Sequence, residues 1–163
     1  MSRLGFLSPD ECASSVALAS PLSGVDLGGV VTELAHLRML EIRGDIRTLE
    51  PADGDTLLPL GPSRTLLVSE RAVLAARDRI AAAGYRVYDM TAALTALELD
   101  GVDLLARLTE LDPDTLPAIG SIARGTPALI EARGGERFRL YVPRELARFV
   151  AEVTVDMRRG IRR

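Results

Sequence analysis

The last third of the chain carries the pattern that most narrows the fold. Ala128 to Arg133 and Arg137 to Val142 are apolar, strand-prone runs, and Gly134-Gly135 between them supplies the positive φ that a hairpin turn needs. Successive strand side chains alternate, so Phe138, Leu140 and Val142 share one face. Pro143 suits the first position of a helix. Leu146, Phe149, Val150, Val153 and Met157 then recur at i, i+3, i+4, i+7 and i+11, an apolar stripe along one helix side. With strands and helices mixed ahead of it, a hairpin followed at once by an amphipathic helix points to an antiparallel or mixed α+β sandwich, mostly antiparallel sheet with helices packed on one sheet face.

The preceding segments fit that scheme. His36 to Arg43 alternates and reads as a strand stopped at Gly44-Asp45, with Leu40 and Ile42 opposite Met39 and Glu41. Pro51, Gly54, Pro59, Gly61 and Pro62 make residues 47–63 a loop. A strand over Thr65 to Val68 precedes a helix capped by Ser69, with Val73, Ala76, Ile80 and Ala83 at helical spacing until Gly84. Tyr85 to Asp89 is the next strand. Leu94 to Leu99 is a half-buried one, with Thr95, Leu97 and Leu99 on one face. Asp100 is placed to cap a helix with Asp103 in its first turn and Leu104, Leu105 and Leu108 inward, and Pro113 and Pro117 bracket a connector. Residues 1–33 lack a sustained period and read as an extended arm, residues 34–157 as the domain and 158–163 as a basic tail.

Composition excludes several classes of chemistry. A chain of 163 residues, 47% hydrophobic and 26% charged, is long enough for one buried core. Its 20 basic residues are all Arg; with no Lys there is no Schiff-base or phosphate-loop lysine. Against 23 acidic residues they leave a formal charge of -3, which argues against a dedicated binder of nucleic acid or anionic membrane. The single cysteine, Cys12, cannot form an internal disulfide and sits beside Asp10 and Glu11, a setting for an inert thiol in a reducing, cytoplasmic compartment. The longest uncharged stretch, Cys12 to Val25, is broken by Pro21 and Gly24 and falls short of the roughly 20 apolar residues of a membrane span. Ala17-Leu18-Ala19 has the form of a signal-peptidase site, but Pro9, Asp10 and Glu11 interrupt the apolar run it would need.

No nucleophile and base are assembled by sequence proximity, so no catalytic or metal-ligating residue is assigned. His36 lies on or beside the first strand and reads as a partly buried packing or interface residue. Gly28-Gly29 and Gly134-Gly135 are isolated pairs outside a strand–loop–helix context and read as turns. Asp89 and Thr91, at a strand end, are candidates for ligand hydrogen bonds; their plainer role is to satisfy local backbone groups. Arg158, Arg159, Arg162 and Arg163 read as a solvated helix terminus, where cations meet the negative end of the dipole.

Ser20-Pro21-Leu22, Leu40 to Asp45, Leu58 to Pro62, Val87 to Thr91, Leu97 to Gly101 and Phe138 to Arg144, taken in order along residues 20 to 157, resemble the gamma subunit of heterotetrameric sarcosine oxidases, a relative of the folate-binding half of the glycine-cleavage T-protein. Ser20-Pro21-Leu22 is similar to an early Ser-Pro-Leu of that family, and Leu40 to Asp45 to its strand ending in Leu-Arg-Gly-Asp. Leu58-Pro59 and Leu60-Gly61-Pro62 resemble its Leu-Pro loop and Leu-Gly-Pro-Asp-Glu-Trp-Leu signature, with Ser63-Arg64-Thr65 in place of Asp-Glu-Trp. Val87 to Thr91, Leu97 to Gly101, and Leu111 to Gly120 with Pro113 and Pro117 follow the pattern. Phe138 to Arg144 is similar to its Phe-Arg-Leu-x-Val-Pro-Arg strand-to-helix junction.

The resemblance implies a T-protein-like, folate-binding-type α+β domain of ferredoxin-like character. It also implies a non-catalytic accessory subunit of a flavin-dependent, folate-linked, sarcosine oxidase-like amine oxidase or demethylase, in which larger flavoprotein subunits hold flavin and tetrahydrofolate and this chain holds neither. T-protein relatives that transfer one-carbon units carry an Asp-Asp-Leu segment, and the corresponding Gly125 to Leu129 has no acid. An alternative is a stand-alone tetrahydrofolate-binding module, with Asp89, Thr91, Arg124 and Arg139 toward the ligand. A second is a homo-oligomeric scaffold, the isolated chain being a homodimer.

Overall fold

The computed structural model describes residues 19–46, 49–70 and 74–161. Along these run strands β1 (Val31–Glu33), β2 (Arg38–Arg43), β3 (Asp55–Gly61) and β4 (Arg64–Ser69), helix α1 (Leu74–Ala82), and strands β5 (Arg86–Asp89) and β6 (Leu94–Asp100). Helix α2 (Val102–Leu108), strands β7 (Ala118–Ile122), β8 (Thr126–Ala132) and β9 (Arg137–Pro143), and helix α3 (Ala147–Ile161) complete the order. They form a five-stranded sheet, β1-β6-β9-β8-β7, and a four-stranded sheet, β3-β4-β2-β5, with every pairing antiparallel. No described helix is long and apolar enough to cross a membrane.

Alternation explains how these strands stack. On β9, Phe138, Leu140 and Val142 face α2 and α3 in one core with Leu97, Leu99, Leu104, Leu105, Val150 and Ala151, while Tyr141 faces the other way. Tyr141, Ala96 and Leu129 meet Met39, Leu58, Leu66 and Val68 of the four-stranded sheet in a second core. Leu40, Ile42 and Leu67, on the opposite face of that sheet, close a third core against Ile80 of α1. The two sheets therefore lie face to face, each with its outer face covered by helix. Helices confined to one face, as read from the sequence, are corrected to this arrangement. A strand buried on both faces shows a continuous apolar run, and the pattern of β2 does not say which face meets a helix.

Other differences have local causes. Residues 19–33, read as part of an arm, join the core: Leu22 and Val31 are buried in it and β1 pairs with β6. Small residues there hide the short strand's period; residues 1–18 lie outside the described set. The expected loop over 47–63 contains β3, whose Pro59 is tolerated because β3 is an edge strand and the register shifts between Pro59 and Gly61. The connector after Pro113 holds a 3-10 turn, Pro113–Thr115, and then edge strand β7. In β7, Gly120 leaves room for Leu111: a Cβ there would stand 2.5 Å from Leu111 Cδ1.

Strand β6 is buried on both faces, since Ala96 packs between the sheets. Helix α2 starts from Gly101 at φ 109 with no side-chain cap, so Asp100 does not cap it. Pro143 ends β9, and a 3-10 turn over Arg144–Leu146 separates it from α3. On α3, Val150 of the expected stripe is buried and Val153 and Met157 pack on the core, but Phe149 is 41% exposed while Ala147, Ala151 and Val155 are buried, so the stripe is rotated from the one expected. Arg158 and Arg159 belong to α3, where Arg159 pairs with Asp156 at 3.2 Å. Thus residues 158–161 are helix rather than tail.

Candidate functional site

Among the described residues, two polar clusters and two of the concave places bear on function. The first cluster stands on the inner face of the four-stranded sheet. Glu41, in the middle of β2, is buried at 4% exposure; its Oε1 accepts from Arg64 Nε at 2.9 Å and Arg43 Nε at 2.7 Å, and Oε2 from Arg64 Nη2 at 3.1 Å. The Arg64 hydrogen bond holds the Glu41 carboxyl below the usual carboxylate range against desolvation, with Arg43 assisting. Arg43 also lies over the Tyr88 ring, 4.7 Å from its centroid.

Beside Glu41 is an inter-sheet cavity of about 200 Å³, walled by Leu60, Leu66, Met90, Leu94, Leu129 and Tyr141 and with Arg64 and Ile119 also lining it. Ile119 is 51% exposed, the largest such value among the exposed large apolar side chains described.

The second cluster crosses the inner face of the five-stranded sheet. Register places Arg139 between Glu98 on β6 and Glu131 on β8. Arg139 Nη2 reaches Glu98 Oε2 at 3.5 Å, the Tyr141 phenol donates to Glu131 Oε2 at 2.7 Å, and Arg133 Nη1 donates to Glu131 Oε1 at 2.7 Å. Burial, then the Glu131 carboxylate, push the Tyr141 phenol far up, so it stays a donor. Arg139 Nε is buried without a hydrogen-bond partner among the described residues.

The second concave place is an open groove of about 790 Å³ along the end of α2 and the β7–β8 turn, with Arg107, Glu110, Ser121 and Arg124 among its lining residues. The turn is tight: Gly125 N donates to Ile122 O at 3.0 Å, and Ala123 and Arg124 take φ of 41 and 66. Positive φ at two successive residues other than glycine is uncommon, and here the turn holds Arg124 outward over the groove.

The sequence-derived candidates do not converge. Asp89 Oδ1 accepts from Thr91 N at 2.9 Å, and Thr91 Oγ1 accepts from Met39 N at 3.1 Å, so both residues tie β5 to β2. Arg139 is bound in the sheet cluster and Arg124 borders the separate groove. His36 is exposed in the β1–β2 turn, not partly buried as expected, because Leu37 rather than its neighbour takes the inward position. Cys12 lies outside the described residues. Among the described residues no group of three or more His, Cys, Asp or Glu is placed to hold a metal ion.

Sequence reasoning missed Glu41, Arg43, Arg64, Glu131 and Tyr141 as a set. The available signal was a carboxylate inside each apolar strand, Met39-Leu40-Glu41-Ile42 and Leu129-Ile130-Glu131-Ala132. A buried acid needs a partner. Which arginine supplies it depends on register, which the sequence does not display.

No protein-family model matches the chain, and no curated protein matches it in sequence. Solved structures do. The fold is similar to a chain of the heterotetrameric sarcosine oxidase from Corynebacterium sp. U-96 in complex with pyrrole 2-carboxylate, with a TM-score of 0.68 and 19% identity over 80% of this chain and 83% of that one. It is also similar to the glycine cleavage system aminomethyltransferase T from Bartonella henselae, with a TM-score of 0.56 and 15% identity over 79% of this chain and 46% of that one. At these identities the likeness establishes the fold: an α+β arrangement of two antiparallel sheets and three described helices, shared with a sarcosine oxidase chain and with part of an aminomethyltransferase.

Proposed function

We propose that this chain is a non-catalytic, gamma-type accessory subunit of a heteromeric, flavin-dependent and folate-linked amine oxidase or demethylase of the sarcosine oxidase kind. The observation that carries the reading is the likeness to a sarcosine oxidase chain, which has a TM-score of 0.68 and spans 83% of that chain and 80% of this one, against a TM-score of 0.56 with the aminomethyltransferase. The buried polar groups support it, because Glu41, Glu131 and Tyr141 are each committed to partners within the sheets. Flavin and tetrahydrofolate then belong to the larger subunits.

The test is purification of the tagged chain from its native host. The expected eluate is yellow and holds larger chains in fixed ratio, and the isolated chain does not oxidise sarcosine or dimethylglycine. A colourless eluate with this chain alone, or oxidation by the isolated chain, overturns the proposal.

A second reading, a stand-alone tetrahydrofolate-binding module, draws on the groove of about 790 Å³, a volume within the usual range for ligand sites. Of the four folate candidates only Arg124 suits it, since Asp89, Thr91 and Arg139 are engaged locally. Calorimetry with tetrahydrofolate decides: no heat and no thermal shift at millimolar ligand removes this reading.

A further inference from the structure

The four-stranded sheet holds an arrangement that works against its own stability. Register sets Arg64 directly opposite Arg43, and Arg43 directly opposite Arg86. Directly opposite residues share a face, and like charges so placed destabilise a sheet. This is the inner face, because Glu41 and Met39 share it with Arg43, and Met39 packs between the sheets. At this end the face is open to solvent: Arg43, Arg64 and Arg86 are all exposed, and Tyr88, under the Arg43 guanidinium, is 42% exposed. Glu41 answers Arg43 and Arg64, and Arg86 has no carboxylate partner among the described residues. Two guanidiniums thus share one carboxylate and a third stands next to them in register, with Arg64 and Glu41 also lining the inter-sheet cavity.

The cavity's size selects its occupant. At about 200 Å³ it is below the roughly 300–1,000 Å³ of cofactor and small-molecule sites, yet it exceeds the roughly 150 Å³ apolar cavity that takes a benzene ring. It therefore fits one large apolar side chain. Arg64 and the exposed Ile119 both line it, and from Arg64 the arginine row continues across β2 to β5. Strands lie about 4.8 Å apart, so the row extends roughly 10 Å, the reach of a few residues of extended chain.

We propose that this face is a docking slot for an extended segment of a larger partner subunit, in which one large apolar side chain fills the inter-sheet cavity and flanking acidic residues lie on Arg64, Arg43 and Arg86. The identity of the partner rests on the accessory-subunit reading; the slot and the chemistry of its occupant rest on the arginine row and the cavity.

Two measurements separate them. In the first, fluorescence anisotropy of the full chain is read with a fluorescein-labelled peptide alternating glutamate and leucine, and with its analogue carrying lysine for glutamate. The acidic peptide is expected to bind at least tenfold more tightly, although the whole chain carries a net charge of -3. Arg86→Glu abolishes that preference, and Ile119→Ser weakens binding. Equal binding of the two peptides, or a preference unchanged in Arg86→Glu, overturns the slot. Neither residue belongs to the Glu41 ion pairs, and unchanged thermal melts verify folding.

In the second, the same variants are tagged and purified from the host, and recovered flavin is expected to fall at least tenfold. Undiminished recovery overturns the slot and spares the accessory-subunit reading. A wild-type chain that recovers no flavin while the acidic peptide still binds selectively overturns the partner's identity and sustains the slot. If sedimentation shows a homodimer that Ile119→Ser splits, the occupant is a second copy and the proposal fails.

Discussion

Replacing Tyr141 with phenylalanine removes one oxygen from a ring 2% exposed and leaves the core packing of that ring in place. The lost donor had been 2.7 Å from Glu131 Oε2, and Glu131 is 5% exposed, so water does not readily replace it. Arg133 still holds the other carboxylate oxygen at 2.7 Å. A hydrogen bond to a charged group contributes about 1.5–3 kcal/mol, and an acceptor left buried without its donor sits within that range. We expect Tyr141→Phe to lose about 2 kcal/mol. For a chain of this size that lowers Tm by ~4–8 °C. Urea unfolding at pH 7 should show a lower midpoint with an unchanged slope.

The alkaline limb checks the same interaction independently. The folded phenol titrates above its unfolded value of about 10, so its contribution is complete below that pH and is lost as pH rises toward the folded pKa. The gap between wild type and Tyr141→Phe should therefore narrow above pH 10. A loss under about 0.5 kcal/mol at pH 7, the range of a neutral surface change, refutes the reasoning, as does a gap that stays constant into alkali.

Glu41→Gln probes the acid limb. The carboxyl is held below its unfolded value by Arg64, so its stabilisation is present above pH about 4.3 and is lost as pH falls through the folded pKa; urea midpoints of variant and wild type should differ at pH 7 and converge toward pH 3. Gly120→Ala drives a methyl into Leu111, 2.5 Å from Cδ1 and 2.8 Å from Cγ, and should cost about 1–3 kcal/mol by denaturant unfolding. Phe149→Ala, at an exposed position, should cost the isolated chain less than about 1 kcal/mol, whereas Val150→Ala, fully buried one residue later, should cost about 2 kcal/mol; thermal melts rank the two.

The elements that sequence resolved are those whose signal is local. The β8–β9 hairpin was legible because Gly134 and Gly135 take the positive φ that their turn requires, 85 and 62. Leu104, Leu105 and Leu108 were legible because a helical period puts them on one side of α2. Absence of lysine and the lone Cys12 bound the chemistry without any structure. Edge strands β1, β3 and β7 escaped because they are short or carry proline and glycine, and edge pairing tolerates what a central strand does not. Phe149 was misplaced because α3 begins at Ala147 after a 3-10 turn, which rotates the buried stripe.

The functional candidates divide on the same line. Arg124 and the pair Asp89 and Thr91 stand out in the sequence as polar residues at turns and strand ends, yet the pair is spent on local hydrogen bonds. The arrangement of Glu41 with Arg43 and Arg64, the row continuing to Arg86, and the cavity lined by Arg64 and Ile119 exist only once strands far apart in the chain are set in register and the two sheets are stacked. Residue type and period decide which segments become strand or helix, because those preferences act over a few residues. Pairing and stacking bring together charges more than twenty residues apart, and cross-strand register, a property of the folded chain alone, determines which of them meet.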